Sequence, residues 1–290
     1  MPRSSDLLPR VEALLGHPVH EIHPLGGGCI ARTSRVVTPA GLWVLKVGHG
    51  PVADTLAPEA DGLRTLRQAD TPLQIPAVVA LDVAEEPALL LLEWIEPGPA
   101  DAAFEEALGT GLAVLHRHTA DRYGYQRSNR LGLSEQHNAW HDAWPAFFRT
   151  QRLEPQVAAA RAAGRWVRAW DPLMDEGWRR LEAWLPATPE ASLVHGDLWQ
   201  GNAMATATGT AALLDPAVYY GHREVDLAMA ALFGGFTDRL MEAYTATWPL
   251  DPGYAQRRHV YDLYHLINHL NLFGAGYAHA VEACLRRLVR

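Results

Sequence analysis

His195-Gly196-Asp197-Leu198-Trp199-Gln200-Gly201-Asn202, with Leu213-Leu214-Asp215-Pro216 downstream, is the most informative stretch of this 290-residue chain. It sits in a hairpin-like run, where Ser192–Leu198, Ala203–Ala205 and Ala211–Leu214 read as short strands. Asp197 and Asn202 then fall at the two ends of a short loop, and Asp215 at the end of the next strand. A carboxylate at the first end can take a proton from a hydroxyl. The amide oxygen of Asn202 and the carboxylate of Asp215 are hard oxygen donors of the kind Mg²⁺ prefers. Transfer of a phosphoryl group needs a base, metal ions across the phosphates, and a cation on the phosphates that stay behind.

The cation is found by working upstream. The chain has 24 Arg and a single Lys, Lys46, in Val44-Leu45-Lys46 at the end of a strand. A position that keeps Lys where Arg is used everywhere else suits a compact ammonium on a flexible stem, which a planar guanidinium does not replace. Around it, Asp6–Leu15 reads as a short helix, and Val19–Leu25, Cys29–Val37 and Leu42–Val47 as strands. Gly26-Gly27-Gly28 joins the first two strands, and the backbone N–H groups of such a loop can approach phosphates. It is not a full Gly-x-Gly-x-x-Gly pattern, and an ordinary glycine hairpin is the other reading. Pro58 suits the first residue of a helix that carries Glu59. Val78–Val83 and Ala88–Ile95 complete an antiparallel sheet, and Glu96-Pro97-Gly98-Pro99 reads as a linker. Asp101 then caps a helix running to about His116. Most of the rest is helical in pattern, notably Glu224–Phe233, Asp238–Thr247 and Arg257–Phe273. The expected class is α+β: a small sheet lobe over residues 1–96 and a larger, mainly helical lobe over 97–290.

Composition narrows the function. Hydrophobic residues at 48% and a net charge of −8, with Arg spread along the chain, fit a soluble globular protein and argue against nucleic acid or a membrane surface as partner. The apolar run Ala88–Leu92 is far too short to span a bilayer, and no signal peptide is apparent. Two cysteines, Cys29 and Cys284, give no disulfide framework and suit the cytoplasm. A monomer or weak dimer is expected. Cys29 follows the glycines, whose N–H groups could stabilise its thiolate and make it open to oxidation. The alternative is a small inert residue at a strand start.

His-Gly-Asp-x-x-x-x-Asn followed by Asp resembles the catalytic and metal-binding loops of the protein-kinase-like superfamily, in the form used by small-molecule kinases. Protein kinases have Arg where this chain has Gly196, and usually Asp-Phe-Gly where it has Asp215-Pro216-Ala217. The resemblance implies a bilobal kinase-like fold, ATP and Mg²⁺, with Asp197 as base and Asn202 and Asp215 as metal ligands. It also implies an ion pair of Lys46 with Glu59 over the ATP phosphates, although Glu59 could instead be a solvated acid in a first helical turn. Adenine would meet backbone groups in Leu92-Glu93-Trp94-Ile95, with the Glu93 carbonyl and the Ile95 amide as candidates. Glu93 could equally cap an edge strand. His195 would support the catalytic loop. Asp226 would hydrogen-bond that loop, or simply favour a helix N-terminus.

Further segments resemble the fructosamine kinase (ketosamine 3-kinase) family. They include Gln136-His137-Asn138-Ala139-Trp140, Asp215–Glu224, Phe233-Gly234-Gly235-Phe236 and Leu263–Gly274. Asn is scarce, yet Asn138, Asn202, Asn268 and Asn271 all fall inside such segments. The resemblance implies phosphorylation of the sugar 3-hydroxyl of a free or protein-bound fructosamine or ribulosamine, giving a product that releases its amine. A sugar asks for an aromatic face and polar side chains; Trp199 is the first candidate, with Asn138, Trp140 and Asn268 behind it. Trp140, Trp144 and Phe148 also recur at the spacing of a helix core stripe. An aminoglycoside- or choline-type kinase and a catalytically dead nucleotide-binding protein are the competing readings.

Overall fold

The computed structural model describes residues 4–26 and 30–290. Helix α1 (Ser4–Leu15) precedes a five-stranded antiparallel sheet built from β1 (Glu21–Pro24), β2 (Arg32–Thr38), β3 (Gly41–Gly48), β4 (Val78–Asp82) and β5 (Ala88–Glu93), in the order β1-β2-β3-β5-β4. Helix α2 (Ala53–Gln68) is inserted between β3 and β4. The run Ala88-Leu89-Leu90-Leu91-Leu92 shows no polar alternation because both faces of its strand are covered. Leu89 and Leu91 pack with Val36, Leu45, Val47 and Val11 of α1, while Leu90 and Leu92 join Leu56, Leu63 and Leu66 of α2 in the main core. Since side chains alternate along a strand, Leu45 and Val47 on the α1 face put Lys46 on the α2 face. The sheet thereby aims the one lysine at the inserted helix.

That helix starts earlier than the sequence suggests. A 3₁₀ turn at Gly50–Val52 carries Pro51 and feeds directly into Ala53, so Pro51 supplies the start signal and Pro58 lies inside the helix. Glu59 consequently sits beyond the first turn, and the reading of it as a first-turn acid is removed.

The second lobe opens with α3 (Ala102–Leu115), whose N-cap Asp101 accepts from Phe104 N at 3.2 Å. It continues through β6 (Thr119–Ala120), the hairpin β7 (Asn129–Leu131) and β8 (Ser134–Gln136), and α4 (Trp144–Phe147), followed by a π-helical turn at Phe148–Leu153. Then come α5 (Glu154–Ala162), α6 (Asp171–Trp184), β9 (Ala191–Val194), β10 (Ala203–Ala205), β11 (Ala211–Leu213) and β12 (Tyr219–Gly221). Four helices close the chain: α7 (Glu224–Leu232), α8 (Asp238–Thr247), α9 (Tyr254–Phe273) and α10 (Ala278–Leu288). The expected hairpin is only part of the arrangement. β10 pairs with β11, but β9 leaves them to form a three-stranded sheet in the order β12-β9-β6. Strands of two or three residues carry too little periodicity to be read from sequence. The expected aromatic stripe is also shorter than its spacing implied, because Trp140 lies before α4. Trp144 and Phe148 are fully buried with ring centroids 5.4 Å apart. Among the described residues no helix is long and apolar enough to cross a membrane.

Candidate active site

Lys46 projects from β3 between two carboxylates. Its Nζ donates to Glu59 Oε1 of α2 at 2.6 Å and to Asp215 Oδ1. The lysine and Glu59 side chains are nearly inaccessible, while Asp215 is 44% exposed and open toward a cavity. Burial works against the charge on Lys46, but the two carboxylates outweigh it and hold its pKa above the usual lysine value. Burial pushes Asp215 up and the ammonium pulls it further down, so it is an ionised anion.

Asp215 is also conformationally unusual. It has φ 53°, a left-handed backbone that a residue with a side chain adopts only when its surroundings insist on it. The neighbours supply that insistence. Leu214 N donates to Asn202 O at 2.9 Å and Ala217 N to His195 O at 2.8 Å. The Ala217 carbonyl accepts from Gln136 Nε2 at 2.9 Å, and the Val218 carbonyl from Asn129 Nδ2 at 2.7 Å.

The loop from His195 to Asn202 is held from below by a buried acid of α7. Asp226 accepts from His195 N at 2.6 Å and Gly196 N at 2.8 Å, with His116 Nε2 at 3.2 Å from the same carboxylate. Its role in the loop is thus direct rather than a helix-end preference. His195 accepts from Asp197 N through Nδ1 at 3.3 Å, so Nε2 carries the proton and donates to Leu214 O at 2.8 Å. Burial lowers its pKa and keeps it neutral. Gly196 has φ +83°, and a Cβ there would lie 2.1 Å from Ala217 O. The close approach and the positive φ together require Gly at this position.

Asp197, at the loop's tip, lines the cavity. Its pKa is pushed up to about 7, first by burial and then by the negative charge of Asp215. Asn202 Nδ2 donates to the Asp197 carbonyl at 2.9 Å and to its Oδ2 at 3.2 Å. With its nitrogen spent in this way, Asn202 presents Oδ1 as a bare acceptor on a wall that Asp215 shares. An amide oxygen and a carboxylate lining one cavity are donors of the kind that fit a divalent cation such as Mg²⁺. The Trp199 ring packs against Gly201, where a Cβ would fall 2.3 Å from the ring, and it forms part of the same wall. Lys46, Glu59, Asp197, Trp199, Asn202 and Asp215 all face one cavity of about 440 Å³ between the lobes.

The whole described chain, sheet lobe and helical lobe together, has counterparts among known proteins. The fructosamine kinase family model matches residues 9–290. A probable ketoamine kinase of Enterococcus faecium is 36% identical over 266 residues, 91% of this chain and 94% of its own length. The chain belongs to the fructosamine kinase family. A crystal structure from Thermobifida fusca, provisionally assigned as a fructosamine-3-kinase, superposes with a TM-score of 0.89 at 28% identity, covering 99% of this chain and all of that one. A thermostable mutant of aminoglycoside phosphotransferase APH(4)-Ia matches at a TM-score of 0.68 and 15% identity, covering 97% of this chain and 98% of that one. That distant likeness shows the kinase-like phosphotransferase fold and nothing of substrate.

Two residues expected of the substrate site in this family member lie elsewhere. Asn138 is buried in a polar network, donating to Arg127 O at 3.1 Å and Asn129 Oδ1 at 3.0 Å and accepting from Arg152 at 2.7 Å. Its hydrogen-bonding groups are spent on structure. Trp140 lies outside the cavity walls, stacked on Tyr220 with centroids 6.2 Å apart. Asn268 does reach the cavity, with Oδ1 accepting from Gln156 at 3.2 Å. Glu93, Trp94 and Ile95 stand at the junction of the lobes, off the walls of this cavity. The Glu93 side chain accepts from Ala77 N at 2.9 Å, and Trp94 donates to Glu96 at 2.8 Å. Gly27, Gly28 and Cys29 lie outside the described residues.

A side-chain network that the sequence does not announce fixes the segment after Asp215. Asn129 Oδ1 accepts from Gln136 at 2.8 Å as well as from Asn138, and Tyr264 donates to Gln136 Oε1 at 2.9 Å. Arg152, fully buried, donates to His137 O at 2.5 Å and places its guanidinium 3.9 Å from the Tyr219 ring. Asn129 was the one scarce Asn outside the family-like segments, so scarcity alone could have flagged it.

Proposed function

We propose that this chain transfers the γ-phosphoryl group of ATP to the 3-hydroxyl of a ketosamine. Residues 1–96 would hold the nucleotide and residues 97–290 the acceptor. The observation that carries this reading is the meeting of a raised-pKa carboxylate, Asp197, with the Lys46–Glu59–Asp215 cluster on one cavity. The sugar lies against Trp199, and its 3-hydroxyl hydrogen-bonds to Asp197. As the hydroxyl oxygen bonds to the γ-phosphorus, the bond to the bridging oxygen of ADP breaks and the proton passes to Asp197. A pKa near neutrality suits a group that must accept a proton and then return it to water. Lys46 sits where a cation would meet the phosphates that remain on ADP. Mg²⁺, held by Asp215 and Asn202 Oδ1, would neutralise phosphate charge. The backbone of Glu93 and Ile95, near Trp94, is our candidate for the adenine edge. The 3-phosphoketosamine formed would then release its amine.

The test is ADP release and product mass with ATP, Mg²⁺ and, in turn, fructoselysine, ribuloselysine and an aminoglycoside. Phosphorylation of either ketosamine at O3 is expected. Turnover of the aminoglycoside alone, or of no acceptor, would overturn the reading.

A further inference from the structure

At the outer part of the same cavity stands an aromatic group that none of the steps above uses. His269 and Phe273 are one turn apart on α9, and the 3₁₀ turn at Ala275–Tyr277 brings Tyr277 onto the same side. Phe233 reaches them from the end of α7. The imidazole is the hub. Its ring centroid lies 4.5 Å from Phe233, 5.3 Å from Phe273 and 5.1 Å from Tyr277. All four residues line the cavity that holds Asp197. Phe233 and Phe273 are 39% and 58% exposed, a large apolar area to leave open at the mouth of a site.

The hydrogen bonding of His269 defines what this group can take. Nδ1 lies 2.8 Å from the His265 carbonyl, which accepts and therefore fixes the proton on Nδ1. Nε2 is then a lone-pair acceptor with no partner among the described residues. Burial lowers the pKa of this imidazole, which favours the neutral form with that lone pair free. A free imidazole acceptor on a ring that three aromatic rings contact, all on one cavity, suits a cation that carries N–H donors. The acids on the cavity wall are Glu59, Asp197 and Asp215, all committed to the phosphoryl-transfer cluster. Arg130, the cation on the wall besides Lys46, has its nearest acid in Asp54, at 4.0 Å.

What separates a ketosamine from a plain ketose is its secondary amine at C1, an ammonium with two N–H donors at neutral pH. We propose that Phe233, Phe273 and Tyr277, with the bare Nε2 of His269, form the subsite for that ammonium. The inference rests on the ketosamine reading and deepens it: the enzyme selects the amine through its charge. The nitrogen's substituent leaves past the exposed Phe273, so its size is not what is read.

The experiment compares two acceptors of equal shape, 1-deoxy-1-(propylamino)fructose and its neutral thioether analogue, 1-deoxy-1-(propylthio)fructose. The enzymes are wild type and the Phe233→Leu, Phe273→Leu and Tyr277→Leu variants, which keep apolar bulk and lose the ring. Wild type is expected to favour the amine in kcat/KM by about 10-fold, within the range of about 3- to 30-fold that a cation over aromatic faces supplies. Each variant should lose several-fold of that preference through the KM of the amine, with the thioether unaffected. Equal kcat/KM for both acceptors in wild type, or a preference unchanged in all three variants, overturns the inference and leaves ketosamine kinase activity standing. Turnover of neither acceptor by wild type overturns that activity, and this inference with it.

Discussion

Replacing Asp197 by Asn should make the enzyme more stable while it sharply lowers turnover, and the gain should depend on pH. Asn matches Asp in size, and its oxygen can still accept from Asn202 Nδ2, now 3.2 Å from the carboxylate. What disappears is a charge that the fold holds at a cost. The native carboxyl is pushed up to about 7 by burial and by Asp215, whereas an aspartate in an unfolded chain titrates near 3.9. Below about pH 4 the group is protonated in both states and costs nothing. Between about pH 4 and 7 the unfolded state gives up its proton first, so the native state loses stability as pH rises. Above about 7 the penalty is complete; at roughly 1.4 kcal/mol per pH unit it reaches about 4 kcal/mol as an upper limit. Thermal unfolding of the ligand-free proteins at a series of pH values measures it. The variant is expected to melt several degrees above wild type at about pH 8, since 1 kcal/mol moves Tm by about 2–4 °C in a chain of this class. The gap should close toward about pH 4 to 5. Turnover should fall by about 10²- to 10⁴-fold. A Tm difference that stays constant across this range, or a variant that melts lower at every pH, would refute a raised-pKa base at position 197.

Lys46→Arg keeps the charge but cannot fit a guanidinium into the space between Glu59 and Asp215, so kcat/KM for ATP should drop on the order of 10²-fold; wild-type kinetics would remove Lys46 from the phosphate site. In Gly196→Ala the new methyl would meet Ala217 O at 2.1 Å. A loss of about 2–4 kcal/mol in urea unfolding is expected, and an unchanged midpoint would contradict the close approach. Gln136→Ala removes the donor that holds the Ala217 carbonyl. It should cost about 1–3 kcal/mol and raise the Mg²⁺ needed for half-maximal rate, since the segment carrying Asp215 loosens. Lower stability with an identical Mg²⁺ titration would leave Gln136 a purely structural residue.

Chemistry that is local in the chain can be read from the residues alone. A single Lys among 24 Arg marks position 46, and the Asp197/Asn202/Asp215 spacing marks the segments we propose for the base and the metal ligands, because short loops impose fixed offsets on their residues. Strand patterning is enough to give the sheet lobe, although the Leu89–Leu92 run of β5 hides which face each residue serves. The remainder depends on long-range packing. Pro51 rather than Pro58 starts α2, and the partnership of Glu59 with Lys46 follows from the packing of α2 on β3 and β5. Asp226 reads equally well as a helix-end acid until the structure shows that α7 begins beneath the His195–Asn202 loop. Asn138 and Trp140 carry residue types that suit a sugar site, yet one was spent on a buried network and the other stacked outside the cavity. The aromatic group around His269 joins the end of α9 and the turn that follows to Phe233, more distant in the chain at the end of α7. A sequence lists which groups can bind a proton, a metal or a ring face; which of them share a cavity is set by long-range packing, and pattern along the chain does not encode it.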